Sequence, residues 1–191
     1  MHLQTVCSDD YAAVSSPHAG LTPERPRCDR TRAKLHKHLL PLRPYEADSV
    51  APGLILGGVW DAHNLGALKE HGVTHIVTVV AGVVPSYPEQ FEYMHVSVRD
   101  IPEERLSPHL DNTTRFIHDA VSGGGTVYVH CMQGKSRSAT VVLAYLMQHL
   151  GMPLEEALAQ TQARRAIVEP NAGFMEELRA FESGLAESGP R

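Results

Sequence analysis

Hydrophobic and polar positions change period several times along the chain, and these changes predict strands that alternate with helices. A near-continuous β-branched run predicts a buried strand at 73–80, and shorter apolar runs predict strands at 54–56, 91–98 and 126–129. Apolar residues at helical spacing predict helices at 61–72, 110–121, 138–150, 154–165 and 171–183. This order is typical of an α/β fold in which helices flank a mostly parallel central sheet within a single domain.

The first predicted helix has recognisable signals at both ends. Asp61 is a preferred N-cap residue, and Gly72 can end a helix in the left-handed conformation. Leu65 and Leu68 would share one face of this helix, so we expect both to point into the core.

Residues 1–46 differ in composition from the rest, because they contain five prolines and little periodicity. Residues 21–45 carry seven Lys and Arg against two acidic residues, whereas residues 46–191 carry ten against 18. We therefore predict a flexible, basic, proline-rich N-terminal arm at 1–46, a folded domain at 47–184 and a C-terminal tail at 185–191. Such an arm could pair with the acidic domain or with an acidic partner.

Composition narrows the class of protein. An apolar content of 42% in 191 residues is enough for a substantial core. There is no run of 18 apolar residues and no apolar leader, so we expect no membrane association and no secretory signal. Three cysteines without paired spacing suit a reducing cytoplasmic or nuclear compartment. Apart from His130, the 12 histidines lack metal-ligand spacing, so we expect no metal. We also expect no cofactor and no nucleic-acid partner.

The segment 130–138 carries the clearest chemistry in the chain. It follows the predicted strand at 126–129 and leads into an apolar helical pattern, so it forms a tight loop between a strand and a helix. Cys131 and Arg137 bracket five loop residues. The first amides of a helix have no partner within the helix and attract anions, so this loop is a candidate phosphate site with a nucleophile at its base.

Each residue type in this loop has a chemical reason to be there. The amides would stabilise the thiolate of Cys131, which is the form that attacks phosphorus, and Arg137 offers a planar fork to two phosphate oxygens. Gly134 lets the loop close tightly, and Ser138 can donate to the sulfur when it leaves. His130 can either fix the backbone of the cysteine or lower its pKa. The phosphate-binding set is Met132, Gln133, Gly134, Lys135, Ser136 and Arg137.

The alternative for Cys131 is a buried core cysteine beside a surface arginine, which the surrounding motif makes improbable. At these residues the chain resembles the protein tyrosine phosphatase superfamily, specifically the dual-specificity protein phosphatases. The segments 54–57, 72–77, 144–147 and 164–174 are similar to family segments, and the resemblance covers residues 48–183. It implies that 47–184 is a catalytic domain that hydrolyses phosphotyrosine and phosphoserine or phosphothreonine through a cysteinyl-phosphate intermediate.

The resemblance also implies a general acid, which must protonate the leaving oxygen. Asp100 follows the predicted strand at 91–98 and lies where the family places its acid. Glu103 and Glu104 are nearby substitutes, and an ordinary helix-capping carboxylate is the structural alternative for Asp100.

Further along, Asn171 resembles the family asparagine that supports the catalytic loop by hydrogen bonds, although a helix N-cap would explain it as well. Both roles stay open at this point. Arg164 and Arg165 could contact substrate, but exposed helical arginines that hold the C-terminal helices are the more ordinary interpretation.

Three functions remain to be distinguished. The first is an active dual-specificity phosphatase acting on phosphoproteins, and the second is an inactive phosphopeptide-binding or scaffold module of the same fold. The intact set of Cys131, Arg137 and Asp100 favours the enzyme. The third is a lipid, RNA 5′-phosphate or glucan phosphatase, but Ser136 stands where such enzymes often have a second glycine.

The N-terminal arm contains one pattern with a specific partner. Basic residues Arg30, Arg32 and Lys34 precede Leu40-Pro41-Leu42, and this resembles the docking peptides of mitogen-activated protein (MAP) kinase ligands. Those kinases offer an acidic patch beside an apolar groove. A MAP kinase is therefore one candidate substrate and partner, and an arm with no such role is the alternative.

Overall fold

The structure is a computed structural model that describes residues 45–188, and its centre is a five-stranded sheet. The strands are β1 (Asp48–Ala51), β2 (Leu54–Gly58), β3 (Val73–Thr78), β4 (Glu92–His95) and β5 (Thr126–Cys131). Their spatial order is β1-β2-β5-β3-β4, with β1 antiparallel to β2 and every other pair parallel. The predicted α/β fold with a mostly parallel central sheet is confirmed.

Helices lie on both faces of this sheet. They are α1 (Val59–Ala62), α2 (Leu65–Glu70), α3 (Ser107–Ser122), α4 (Arg137–Leu150), α5 (Leu154–Arg164) and α6 (Ala172–Ser188). Side chains alternate across a strand, so Val127 and Val129 of β5 join the larger core beneath α3 to α6. Tyr128 faces the other way, into the smaller core with Leu68 of α2. Within residues 45–188, no helix has the length and apolar character needed to cross a bilayer.

Helix α4 fixes the end of segment 130–138 in place. Residues 137–147 are all buried, because α4 lies between the sheet and helices α3, α5 and α6. A helix that is apolar all round is expected to be surrounded by protein. The strand and the helix that flank segment 130–138 are therefore both held by the core.

The N-terminal part of the domain differs from the prediction. The helix predicted at 61–72 is two short helices, because the side chain of Asn64 accepts the amide of Ala67 and starts α2. Asp61 is buried and accepts the amides of Glu46 and Gly58 at 3.1 and 3.4 Å, so it holds chain segments together instead of capping a long helix. Leu68 is fully buried, as expected.

Two further differences concern the edges of the domain. Strand β1 escapes prediction because its four residues show no period-2 alternation of apolar and polar side chains. Helix α6 continues to Ser188, past the predicted domain end at 184. Most of the predicted arm, including the pattern at Arg30 to Leu42, lies outside the described residues, as do residues 189–191.

Candidate active site

The loop between β5 and α4 contains the candidate nucleophile and lies at the carboxyl edge of the sheet. Cys131 ends β5, and Arg137 begins α4. Parallel neighbours β2 and β3 flank β5 on either side. Open α/β sheets bind ligands at this edge, where loops and helix N-termini converge.

Cys131 is buried, with 2% of its surface exposed, and its sulfur receives hydrogen bonds. The hydroxyl of Ser138 donates to Sγ at 3.1 Å, and the amide of Gly134 donates at 3.3 Å. Burial alone would raise the pKa of the Cys131 thiol, but donors from Ser138, Gln133 and Lys135 outweigh burial and hold this pKa below its ordinary value. The site is therefore built to hold a thiolate.

His130 is also buried, and its ring contacts the hydroxyl of Thr78 at 2.9 Å and the carbonyl of Cys131 at 3.4 Å. Burial lowers the pKa of His130 to about 4, so its ring is neutral at physiological pH. A neutral ring places no cation beside the sulfur. Of the two roles open for His130, the structure therefore favours fixing the backbone of Cys131.

The loop closes around Gly134, which has a φ of 72°. A Cβ at this position would lie 2.5 Å from the carbonyl oxygen of Gly57, so both the conformation and the contact require glycine. The side chains of Met132 and Gln133 are exposed, and Lys135 is half-exposed in an ion pair with Glu169 at 2.8 Å. These three side chains therefore form part of the protein surface around the loop.

Arg137 connects the loop to the segment that carries the candidate acid. Its Nη1 donates to the carbonyl of Val98 at 3.3 Å, and its Nε lies 3.4 Å from Oδ2 of Asp100. That Nε is buried and has no hydrogen-bond acceptor among the described residues. A buried donor without an acceptor is costly, and a phosphate oxygen would satisfy it.

The carboxylate of Asp100 contacts the catalytic loop directly. Its Oδ1 accepts the hydroxyl of Ser136 at 2.7 Å and Nδ2 of Asn171 at 3.0 Å. Ser136 also accepts the amide of Asn171, at 3.1 Å. The side chain of Asn171 also accepts the amide of Phe174 at the start of α6, so it caps that helix, while its contact with the catalytic loop is made by its main-chain amide.

Glu103 and Glu104 are placed differently from Asp100. Glu103 is exposed, and Glu104 accepts Nε of Arg99 at 2.7 Å, a hydrogen bond that lowers the pKa of Glu104. Of the three carboxylates, Asp100 is the one with hydrogen bonds to the catalytic loop. The geometry therefore favours Asp100 as the acid.

Helix α6 also contacts the segment that runs from Asp100 to the start of α3. A Cβ at Gly173 would overlap the carbonyl of Pro102, so the chain can approach the helix this closely only at glycine. The carboxylate of Glu177 accepts the amides of Leu106 and Ser107 at 2.8 and 3.2 Å, which caps the start of α3. We call residues 100–106 the acid loop, and α6 contacts it at Pro102 and at its last residue, Leu106.

Arg165 is the main functional residue that sequence reasoning misplaced. It is buried, with 8% exposed, and it donates to the carbonyls of Gln133 and Gly134 in the catalytic loop. The prediction of an exposed helical arginine is wrong for this residue. A single arginine at the end of a polar helix gives no sign in the sequence that it is buried. In the same way, nothing in the sequence indicates that Ser136 contacts Asp100.

Within the described residues, no group of three His, Cys, Asp or Glu side chains is arranged to hold a metal ion. The groups gathered at the site are a thiol, a guanidinium, a carboxylate and main-chain amides. These groups can attack, hold and protonate a phosphate ester.

Comparison with known sequences agrees with this chemistry. Residues 54–184 match the family described as the dual specificity phosphatase catalytic domain. The chain is 41% identical over 150 residues to dual specificity protein phosphatase 1 of Arabidopsis thaliana, covering 76% of each protein. It is 42% identical over 150 residues to mouse protein phosphatase Slingshot homolog 3, covering 78% of this chain but only 23% of that protein. A MAP kinase phosphatase with leucine-rich repeats from Dictyostelium discoideum is 36% identical over 137 residues, covering 71% of this chain and 16% of that protein.

Solved structures of similar proteins share the fold. A mouse putative dual specificity phosphatase complexed with zinc tungstate is 35% identical, with a TM-score of 0.73, and covers 78% of this chain and 94% of that chain. A human tyrosine phosphatase-like serine/threonine/tyrosine-interacting protein is 34% identical, with a TM-score of 0.72, and covers 75% of this chain and 99% of that chain. The fold is therefore shared by proteins described as phosphatases and by one described as phosphatase-like.

Proposed function

The chain belongs to the dual specificity phosphatase family, and on that premise we propose that Cys131 is the nucleophile of its phosphatase reaction. The protein hydrolyses phosphotyrosine and phosphoserine or phosphothreonine in proteins. One observation carries the assignment: the sulfur of Cys131 receives hydrogen bonds from Ser138 and Gly134, and the buried Nε of Arg137 makes no hydrogen bond within the described residues, with Oδ2 of Asp100 3.4 Å away. A thiolate and an open anion site are thus built into the same loop.

The reaction has two steps. In the first, Sγ of Cys131 bonds to phosphorus, the bond to the leaving oxygen breaks, and Asp100 gives that oxygen a proton. The loop amides and Arg137 hold the equatorial oxygens, where charge accumulates in the transition state. In the second, water attacks phosphorus while Asp100 takes its proton, and the sulfur leaves as a thiolate that Ser138 stabilises.

Hydrolysis of an aryl phosphate by the wild type, Cys131→Ser and Asp100→Ala tests these roles. We expect no turnover with Cys131→Ser and a reduced kcat with Asp100→Ala. A Cys7→Ser/Cys28→Ser double variant is the matched control and should keep full activity, because neither cysteine belongs to the loop. Activity that needs a divalent metal and survives thiol alkylation would refute the mechanism.

The phosphatase-like interacting protein among the similar structures suggests a second candidate, a module that binds phosphopeptides without hydrolysing them. The same experiment separates the two functions, because a binding module would not turn over the aryl phosphate. The intact set of Cys131, Arg137 and Asp100 supports the enzyme.

For substrates, we propose that the protein segment around the phosphoresidue contacts an apolar rim beside the loop, formed by Trp60, Met132 and Ile167. These side chains are 59%, 45% and 50% exposed. Met132 follows the nucleophile, and its carbonyl accepts the amide of Val59, next to Trp60, at 3.2 Å. Ile167 lines a cleft of about 550 Å³ together with Gln133 and Lys135 of the loop.

Trp60 and Ile167 each adjoin the loop that carries Met132, and exposed apolar side chains beside a site are typical of a binding surface. Beyond the rim, large apolar side chains exposed in the described chain are Val84 and Leu150. The rim therefore favours phosphoproteins with apolar or aromatic residues next to the phosphoresidue.

We also propose a MAP kinase as one partner and substrate, engaged through the basic arm. The proposal rests on the pattern Arg30 to Leu42 and on the name of the Dictyostelium relative. A pull-down with Leu40→Ala/Leu42→Ala and with charge-reversed Arg30 and Arg32 tests it. Weaker capture of the kinase by both variants is expected, and unchanged capture would end the idea.

We further propose a reducing cytoplasmic or nuclear location, since the mechanism needs a free thiol.

A further inference from the structure

Arg165 lies on the outer side of the catalytic loop and uses every part of its guanidinium. Its Nε donates to the carbonyl of Gly134 at 3.0 Å, and its Nη2 donates to the carbonyl of Gln133 at 2.7 Å. Its Nη1 faces the other way and donates to the carbonyl of Glu46 and to Oδ2 of Asp48, at 2.6 and 2.7 Å. One buried side chain therefore ties the loop to the start of β1.

The two loop carbonyls have a specific relation to the sulfur of Cys131. A trans peptide is planar, and its C=O and N–H point in opposite directions. The carbonyl of Gln133 therefore fixes the amide of Gly134, which donates to Sγ at 3.3 Å. The carbonyl of Gly134 fixes the amide of Lys135 in the same way, and that amide is one of the donors that stabilise the Cys131 thiolate.

We propose that Arg165 is a positioning residue that holds the peptide planes after Gln133 and Gly134 with their amides facing the sulfur of Cys131. If Arg165 did not bind their carbonyl oxygens, these peptide planes could rotate and turn their amides away from the anion site. Asp48 and the carbonyl of Glu46 anchor the far side of the guanidinium, so the fork cannot follow such a rotation. The inference takes from the proposed function only that Cys131 is the nucleophile.

Arginine is required at this position for a geometric reason. Its fork is planar and delivers donors in fixed directions, whereas lysine carries one compact charge on a flexible stem. Arg165→Lys keeps the positive charge and loses the fork. The lysine variant therefore separates the positioning role from a simple electrostatic effect of the charge on the thiolate.

The test measures how fast iodoacetamide alkylates Cys131 as a function of pH, in a chain that carries Cys7→Ser and Cys28→Ser so that one thiol reports. We expect Arg165→Lys and Arg165→Met to move the alkylation profile upward by about one pH unit, which makes alkylation about tenfold slower on the acidic side. The acidic limb of kcat/KM should move with it, and vanadate should inhibit less strongly.

Asp48→Asn is the matched control, because it removes the charge of the far-side ion pair but keeps an oxygen acceptor for Nη1, and it leaves both loop carbonyls bonded to Arg165. It should lower the melting temperature with little change in the alkylation profile. Unchanged profiles in folded Arg165→Lys would overturn the proposal, as would equal shifts in all three variants, which indicate general loosening. If Arg165→Met fails to fold, Arg165→Lys alone decides.

The alkylation measurement also tests the role of Arg165 separately from the proposed function. A shifted profile in a protein that turns over no phosphate ester would support Arg165 as a positioning residue and refute the phosphatase mechanism. An unshifted profile in an active enzyme would do the reverse.

Discussion

The hydroxyl of Ser136 donates a hydrogen bond to Oδ1 of Asp100 at 2.7 Å, so the catalytic loop itself holds the proposed acid. The two residues are 36 positions apart in the chain, and Ser136 is buried at the start of α4. The anion site and the proton donor are therefore not positioned independently. A substitution of Ser136 should therefore reduce acid catalysis by Asp100.

Replacing Ser136 with alanine should lower kcat on a phosphopeptide about ten- to a hundredfold, because Asp100 loses one of the two donors that orient it. Asp100→Ala should lower it about 10²- to 10⁴-fold, the usual contribution of a general acid. The decisive measurement is the double variant. If Ser136 acts through Asp100, adding Ser136→Ala to Asp100→Ala should change kcat little further.

If the two losses of kcat instead multiply in the double variant, Ser136 acts on the phosphate site and not through Asp100. An activated aryl phosphate is a useful control substrate, because its leaving group needs little protonation. Both single variants should therefore lose less activity on it than on phosphoserine.

Gly173 gives a second handle on the acid loop. A Cβ there would overlap the carbonyl of Pro102, so Gly173→Ala should push the acid loop away from α6. We expect a lower kcat on phosphopeptides and a destabilisation of about 1–3 kcal/mol in urea unfolding. Gly184→Ala on the same helix is the matched control, since a Cβ at Gly184 meets nothing within 4 Å.

Gly184→Ala should be neutral or stabilising by up to about 1 kcal/mol, because alanine is the better helix former. A similar loss of activity in both variants would mean that helix α6 as a whole, and not the contact with Pro102, controls the acid loop.

The sequence predicted the parts of the site that are contiguous in the chain. Cys131 to Ser138 form one strand-loop-helix segment, so residue types and order define the chemistry without knowledge of the fold. The fold class and the family are confirmed, because they depend on periodicity and on this segment. The individual roles of the site residues remain predictions.

The supporting contacts could not be predicted, for a physical reason. Glu177 reaches Leu106 and Arg165 reaches Glu46, pairs 71 and 119 positions apart in the sequence. Such hydrogen bonds depend on which polar side chains the packed helices bury, and a polar helix end looks the same whether its arginine is buried or exposed. Residues that hold a site therefore leave weaker traces than residues that react.

Ser138 should matter most in the second chemical step. Its hydroxyl donates to the sulfur of Cys131, so its loss makes the thiolate a poorer leaving group. We expect Ser138→Ala to release a rapid burst of aryl alcohol followed by slow turnover, because cysteinyl-phosphate accumulates. Stopped-flow absorbance measures the burst, and a slow first step without a burst would contradict this role.

The apolar rim should affect peptides and spare small substrates. Trp60→Ala and Ile167→Ala should each raise KM for a phosphopeptide with apolar flanking residues, and leave KM for an aryl phosphate unchanged. Losing such a contact costs about 1–3 kcal/mol, so a rise of about ten- to a hundredfold is expected. Val84→Ala is the control, because Val84 is 79% exposed and is neither on the loop nor in its adjoining cleft. Equal KM values for all variants would remove the rim from substrate recognition.

His130 makes the stability of the fold depend on pH. Burial lowers the pKa of His130 to about 4 in the folded protein, whereas an unfolded chain protonates this side chain near its ordinary value of about 6.5. Between these two values the unfolded state binds more protons than the folded state. The free energy of unfolding should therefore fall as pH drops from about 6.5 to about 4, by about 3 kcal/mol from this residue.

Urea unfolding at pH 7 and pH 4.5 measures the effect, in wild type and in His130→Gln. Glutamine keeps a hydrogen-bonding group near Thr78 but cannot titrate, so the difference in unfolding free energy between the two pH values should shrink by about 2–3 kcal/mol. His109→Gln is the control for the substitution itself, because His109 is exposed. A pH dependence that is identical in wild type and His130→Gln would show that His130 is not neutral because of burial, and would reopen a charged role for it beside the nucleophile.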